Sequence, residues 1–359
     1  MPGFEYGNTR LRARRAAFLG PRDYESMIGL GVDELLGALS TTPYAPDIER
    51  ALPGRHGLHR LHQAVRAHLA RMLNEMRSFY RGRARAIVDL LLARWDLFNL
   101  LALIRGQASR APVDEVLAAI VPLGGIDDAV AREIARQREF SAAVALLGAW
   151  RLPTPHEARA LLAAWPEYER THDLPGLEAE LTARHLERVT AQLARTGDAG
   201  APVRAAVGHE IDARNLLSAL RLREALVGGE LDELSANDRH RGLMPGGALG
   251  RATLLAATEP DSPEYALLAL QRDPAGHAWL EPLRRWGDDG DLIALQDAFE
   301  AALTADALAR FERDDPLGAG IPVAFSAAKE LEARNLRVLG DASAHHADPA
   351  VTRARLTLV

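Results

Sequence analysis

Apolar positions in this chain recur at intervals of three and four residues. Leu100, Leu101, Leu103 and Ile104 form one stripe, and Leu216, Leu217 and Leu220 form another, the spacing that lines one face of a helix. The periodic stretches are cut by short breakers: Gly20-Pro21, Thr42-Pro43, Pro53-Gly54, Pro153-Thr154-Pro155, Pro175-Gly176, Glu259-Pro260 and Asp273-Pro274-Ala275-Gly276. Such residues punctuate helices, and no alternating strand pattern survives between them. The pattern predicts an all-α protein assembled from helical hairpins.

One element recurs. Asp96-Leu97-Phe98-Asn99-Leu100 is echoed by Asp212-Ala213-Arg214-Asn215-Leu216 and by Glu332-Ala333-Arg334-Asn335-Leu336, an acid, two residues and then Asn-Leu each time. Asn99, Asn215 and Asn335 are separated by 116 and 120 residues, and a weaker echo opens the chain at Tyr6-Gly7-Asn8-Thr9-Arg10. Arg14, Arg105 and Arg221 each sit six residues after their Asn, whereas the last copy has Asp341 there; Arg10 and Arg337 sit two after. A second landmark, Pro122-Leu123-Gly124-Gly125, follows the first Asn-Leu element, and Pro245-Gly246-Gly247 follows the second. Acid and Asn three apart share one helix face. Asn is unfavourable inside a helix because its side chain competes for backbone hydrogen bonds. Its recurrence is therefore read as a buried hydrogen bond bracing each repeat, with a ligand site as the sharper alternative. Asp96, Asp212, Glu332 and the three Asn are the structural repeat positions.

Composition narrows the functions open to such a chain. At 359 residues it exceeds the size at which one core keeps growing, so two or three packed units are expected. Ala and Leu supply most of the apolar residues while aromatics and β-branched residues are sparse, which again favours helix. The net charge of -6 leaves no overall positive field to neutralise a phosphate backbone, so nucleic acid is not an expected partner. Lys329 is the only lysine among the 43 basic residues, which reads as codon bias and not as phosphate recognition. The absence of cysteine excludes disulfides, thiolate zinc sites and cysteine nucleophiles and fits a reducing cytoplasm. The opening Met1-Pro2-Gly3-Phe4-Glu5-Tyr6 does not read as a secretory signal. The stretch from Ile87 to Ile104, the most apolar, is interrupted by Asp89, Arg94, Asp96 and Asn99, so no direct bilayer span is expected where about 20 mostly apolar residues are needed.

Catalytic motifs are missing. Lys329 lies between Ala328 and Glu330, so no phosphate-binding Gly-Lys-Ser/Thr loop exists. Gly29-Leu30-Gly31 and Gly318-Ala319-Gly320 are incomplete dinucleotide fingerprints and read as loops. His56, His59 and His62 have metal-ligand spacing but no nearby carboxylate, and read as a solvated helix start; His345-His346 reads as a solvated tail pair. Asp288-Asp289-Gly290-Asp291 lacks the calcium-loop register and reads as a turn ending in Asp291 as helix N-cap. Neither a Gly-x-Ser-x-Gly elbow nor a His-Glu-x-x-His pair occurs. No enzyme, metal or cofactor is expected.

The repeated elements, Tyr6-Gly7-Asn8-Thr9-Arg10-Leu11-Arg12, Asp315-Pro316-Leu317-Gly318 and Lys329-Glu330-Leu331-Glu332-Ala333-Arg334-Asn335-Leu336-Arg337 together resemble the C subunit of the A-type/V-type rotary ATPases, called the d subunit in eukaryotes, from residue 5 to about 340. The resemblance implies three similar helical-bundle domains in a funnel with pseudo-threefold symmetry, here divided near residues 1–110, 111–225 and 226–359. It further implies a non-catalytic adaptor, one copy per complex, that sits on the membrane rotor ring subunits, receives the central-stalk subunits in its mouth and serves proton or sodium transport. Such a protein would be cytoplasmic and peripheral to the cell membrane. Arg10, Arg14, Arg105 and Arg221 are candidates for stalk or ring contact. Departures are the replacement of Lys by Arg and a proline-rich segment from Arg151 to Pro155. The alternatives are an all-helical scaffold, whose solenoid periods of about 20 to 50 residues do not fit, and a helical enzyme using a carboxylate constellation in a deep polar pocket.

Overall fold

A computed structural model describes residues 3–51, 56–149, 155–229, 239, 242–259 and 263–358. Among these every regular element is helical. The helices are α1 (Glu5–Arg15), α2 (Pro21–Met27), α3 (Val32–Leu39), α4 (Ala45–Arg50), α5 (Gly57–Ser78), α6 (Gly82–Leu92), α7 (Arg94–Ser109), α8 (Val113–Ala119), α9 (Asp128–Ala135), α10 (Phe140–Ala149), α11 (Pro155–Thr171), α12 (Leu174–Ala194), α13 (Ala201–Val227), α14 (Arg251–Ala256), α15 (Pro263–Arg272), α16 (Leu280–Asp289), α17 (Leu292–Arg313), α18 (Gly320–Ala344) and α19 (Pro349–Arg355). Pro53-Gly54, Pro260 and most of the proline-rich segment, 151–154, fall outside the described residues.

The breakers act where they stand. Pro21 opens α2 behind Gly20, whose N–H is taken by Asp23 Oδ2 at 2.7 Å. Asp127, Asp291 and Asp348 cap α9, α17 and α19 by accepting the free amides of the first turn, as short acidic side chains do at positive helix ends. Gly290, at φ 67, ends α16 in the left-handed region open to glycine.

The described chain forms two compact units, one reaching to His185 and resuming at Leu308, the other spanning Leu186–Ala307. The first unit holds a core in which Leu97, Leu100 and Ile104 of α7 pack with Val116, Ile134, Val144 and Leu161. Elsewhere in it α18 lies along α5, with Leu61, Leu69 and Leu73 of α5 and Phe325, Leu336 and Leu339 of α18 all buried. In the second unit, Leu216 and Leu220 of α13 pack with Leu254, Leu270, Trp279, Leu295 and Phe299. The leucine stripes read from the sequence are therefore core faces. No helix among the described residues is long and apolar enough to cross a membrane.

Candidate functional site

Asn99, Asn215 and Asn335 are 0%, 2% and 0% exposed, and each uses its carboxamide in the same way. Asn99 donates Nδ2 to the Val121 carbonyl at 2.6 Å while Oδ1 accepts the Val121 N–H at 2.9 Å. Asn215 does this with Met244, at 2.9 and 2.7 Å, and Asn335 with Thr357, at 2.9 and 3.2 Å. A side-chain amide that grips both backbone groups of one residue mimics a strand pair and satisfies a loop that would otherwise bury unpaired polar groups. The Asn cost to the helix is offset by that grip.

The acid three residues earlier grips the same loop a few residues on. Asp96 Oδ1 accepts the Gly125 N–H at 2.8 Å; Asp212 accepts the Ala248 and Leu249 N–H groups at 3.1 and 3.0 Å. These contacts explain the glycine landmarks. A Cβ on Gly124 or on Gly247 would lie 2.2 Å from Oδ1 of Asp96 or of Asp212, and Gly124 also has φ +90. Only glycine lets the backbone come this close. Burial nonetheless drives the Asp212 carboxyl above its ordinary value, opposed by the two amides.

The third copy is built from the two ends of the described chain. Glu332 receives the backbone N–H of Leu19, so Thr357 and Leu19 supply what one continuous loop supplies elsewhere. Glu332 also takes the Lys329 ammonium at 2.6 Å and the Tyr44 hydroxyl at 3.3 Å. Lys329 and Glu332 are buried, and Lys329 Nζ stands 4.4 Å from the centroid of the Phe18 ring. Burial pushes Glu332 up and Lys329 down, each partner's charge opposing it. Helix α18 thus serves α2 to α5 as α7 serves the helices after it.

The residue six after each Asn reaches the long helix of its group. Arg105 holds Glu178 of α12 through two bonds of 2.7 Å, Arg221 holds Gln296 of α17 at 2.9 Å, and Asp341 faces His62 of α5 at 3.3 Å. His62, expected in a solvated helix start, instead lies against α18. Arg14 pairs with Glu75 and lies over Phe79, and Arg10 lies over Tyr6 and Phe79, so all four candidate arginines have partners within the chain. Asn8, also buried, donates to the Pro316 and Gly318 carbonyls at 2.8 and 2.9 Å and accepts the Tyr80 hydroxyl at 2.7 Å. That joins two of the segments that carried the family resemblance.

Two buried pairs carried no sequence signal. His68 of α5 bonds Asp47 of α4 at 3.0 Å, with Arg71 also on Asp47 and Tyr44 stacked on the imidazole at 3.7 Å. His185 of α12 bonds Glu157 of α11 at 3.1 Å. A histidine on the long helix and an acid on the helix before it would have been found only by aligning the repeats helix by helix.

The described residues hold no group of three His, Asp or Glu placed for a metal. A shallow cavity of about 310 Å³ between the α2–α3 loop and the end of α18, lined by residues such as Gly31, Val32, Leu339, Ser343 and Thr352, has no carboxylate in its wall.

Groups of helices locked by one recurrent amide-to-backbone joint define an all-helical repeat protein whose polar side chains serve the framework. Comparison with known proteins agrees. The model of the ATP synthase (C/AC39) subunit family matches residues 7–355, and the chain belongs to that family. It is 28% identical to the C subunit of the A-type ATP synthase of Haloferax volcanii, over 99% of this chain and 97% of the other. It is 30% identical to the C subunit of the V-type ATP synthase of Thermus thermophilus, over 94% and 93%, and 28% identical to that of Deinococcus radiodurans, over 94% and 86%. The chain is a structural member of such a complex, not a catalytic one.

Proposed function

We propose that this chain is the central-stalk adaptor of a rotary A-type/V-type ATPase: one copy per complex, on the cytoplasmic side, seated on the membrane rotor ring and receiving the central-stalk subunits, for proton or sodium transport. The observation that carries the reading is the recurrent Asn joint. An adaptor that passes torque must resist shear between its helices, and fully satisfied buried polar networks rigidify a core. Three similar bundles in a funnel with pseudo-threefold symmetry belong to this reading. On this reading α7 and α13 are grouped with the helices that follow them and α18 with α2 to α5, a division with edges nearer residues 94 and 201 than 110 and 225. Arg10, Arg105 and Arg221, exposed beyond their internal partners, remain the candidates for stalk or ring contact, with the half-buried Arg14 beside them.

The experiment is reconstitution of the complex with and without this protein, following ATP hydrolysis and ion movement together. Omission is expected to uncouple the two, while the isolated chain neither binds nor hydrolyses nucleotide. Undiminished coupling without it would end this reading.

A further inference from the structure

The seam between α5 and α18 differs from its two counterparts in one chemical respect. Where the other groups set arginine against glutamate or glutamine, this one sets His62 against Asp341, with the polarity reversed and with an imidazole in place of a permanently charged guanidinium. The helices are close here: a Cβ on Gly340 would meet Leu61 at 2.6 Å and Leu58 at 3.0 Å. His62 Nε2 is buried, and although Asp341 Oδ1 is 3.3 Å away, the two are not aligned as a hydrogen bond. His59 and Arg66, three before and four after on α5, and Arg337 with Asp341 on α18, are the charged and titratable groups that act on the ring. One carboxylate therefore opposes two guanidiniums and a second imidazole.

We propose that the α5–α18 seam is a proton-responsive latch, closed while His62 is neutral and loosened when the imidazole takes up a proton, whereas the arginine joints ignore pH in this range. Burial holds His62 below the ordinary imidazole value, with Arg337, His59 and Arg66 adding to it and Asp341 opposing. The folded seam therefore binds fewer protons than the opened one, and its stability falls as pH drops through the ordinary histidine range. Because α18 brings Asn335, Glu332 and Lys329 with it, opening would expose the grip on Thr357 and the contacts to Leu19 and Tyr44 together.

The test is amide hydrogen exchange of the full chain at about pH 7.5 and about pH 5.5, corrected for intrinsic rates, across the histidine range. Wild-type peptides from α5 and α18 should open several-fold more on acidification than those from α7 and α12. His62→Gln should remove most of that excess. Asp341→Asn, a change at a half-exposed side chain, should enlarge it, since of the four groups named above the carboxylate alone favours the protonated ring. Retention of the full excess in His62→Gln would assign the acid response to His68 and overturn the proposal, as would the absence of any excess in wild type or an unchanged excess in Asp341→Asn.

Discussion

Asn215 grips Met244 by both of its backbone groups, giving a bond to its carbonyl at 2.9 Å and taking one from its N–H at 2.7 Å. Replacing Asn215 by Leu takes the side-chain partner from the part-buried amide and carbonyl of Met244, and leaving a buried polar group unsatisfied costs about 1–3 kcal/mol. Asn215→Leu should therefore destabilise by about 1–3 kcal/mol, read as a lower urea midpoint. An unchanged midpoint would mean that the loop finds water and that the joint braces nothing.

Gly124→Ala and Gly247→Ala should each be destabilising out of proportion to one methyl group. In both, the new Cβ would lie 2.2 Å from an aspartate oxygen that is itself bonded to the next loop amides. The loop or the aspartate must give way, and Gly124 adds the strain of φ +90, for a loss on the order of 1–3 kcal/mol in thermal unfolding. A neutral result at Gly124 would show that Asp96 can release Gly125 freely.

Lys329 and Glu332 form a buried ion pair, so removing one partner should be worse than removing both. Lys329→Met leaves a buried carboxylate and should cost about 3–5 kcal/mol, whereas Lys329→Met with Glu332→Leu should recover much of that loss. Chemical denaturation of the two variants decides it. Equal losses would indicate that Tyr44 and the Leu19 amide suffice to hold a lone Glu332.

Burial pushes the His68 imidazole down to about 4, with the Lys329 and Arg71 charges adding to it and Asp47 opposing. An unfolded histidine titrates near about 6.5. Between these values the unfolded chain binds the extra proton, so stability is full above about pH 6.5 and falls as pH drops toward 4, where the loss approaches about 3 kcal/mol. Urea midpoints measured from neutral pH to about 4.5 should slope more steeply in wild type than in His68→Gln, because the variant lacks this linkage. Parallel slopes would show that His68 is protonated in the fold.

The sequence made some of this legible and hid the rest for physical reasons. The Asn echo stood out because Asn is a poor mid-helix residue, so its return at 99, 215 and 335 needed a cause. The partners did not stand out, since Val121, Met244 and Thr357 contribute only backbone, which leaves no trace in a string of side chains. Linear spacing also suggested that each Asn element belongs to the residues around it. Helix α18 reaches back instead to Leu19, Tyr44 and His62, contacts between chain ends that no periodicity announces. His68 and Asp47 are 21 residues apart on different helices and lie in no motif. The glycine pairs were visible as landmarks, but the aspartate oxygens that require them appear only in three dimensions.

Because each grip ends on a peptide group, a valine, a methionine and a threonine serve equally well at its far end. The held loops are free to drift in sequence so long as they present one amide and one carbonyl at the right spot, and heredity has to guard a single carboxamide per joint. A framework specified this sparsely can lose nearly all internal likeness among its parts and still keep the joint, which is why an asparagine and its acidic neighbour are what is left to read.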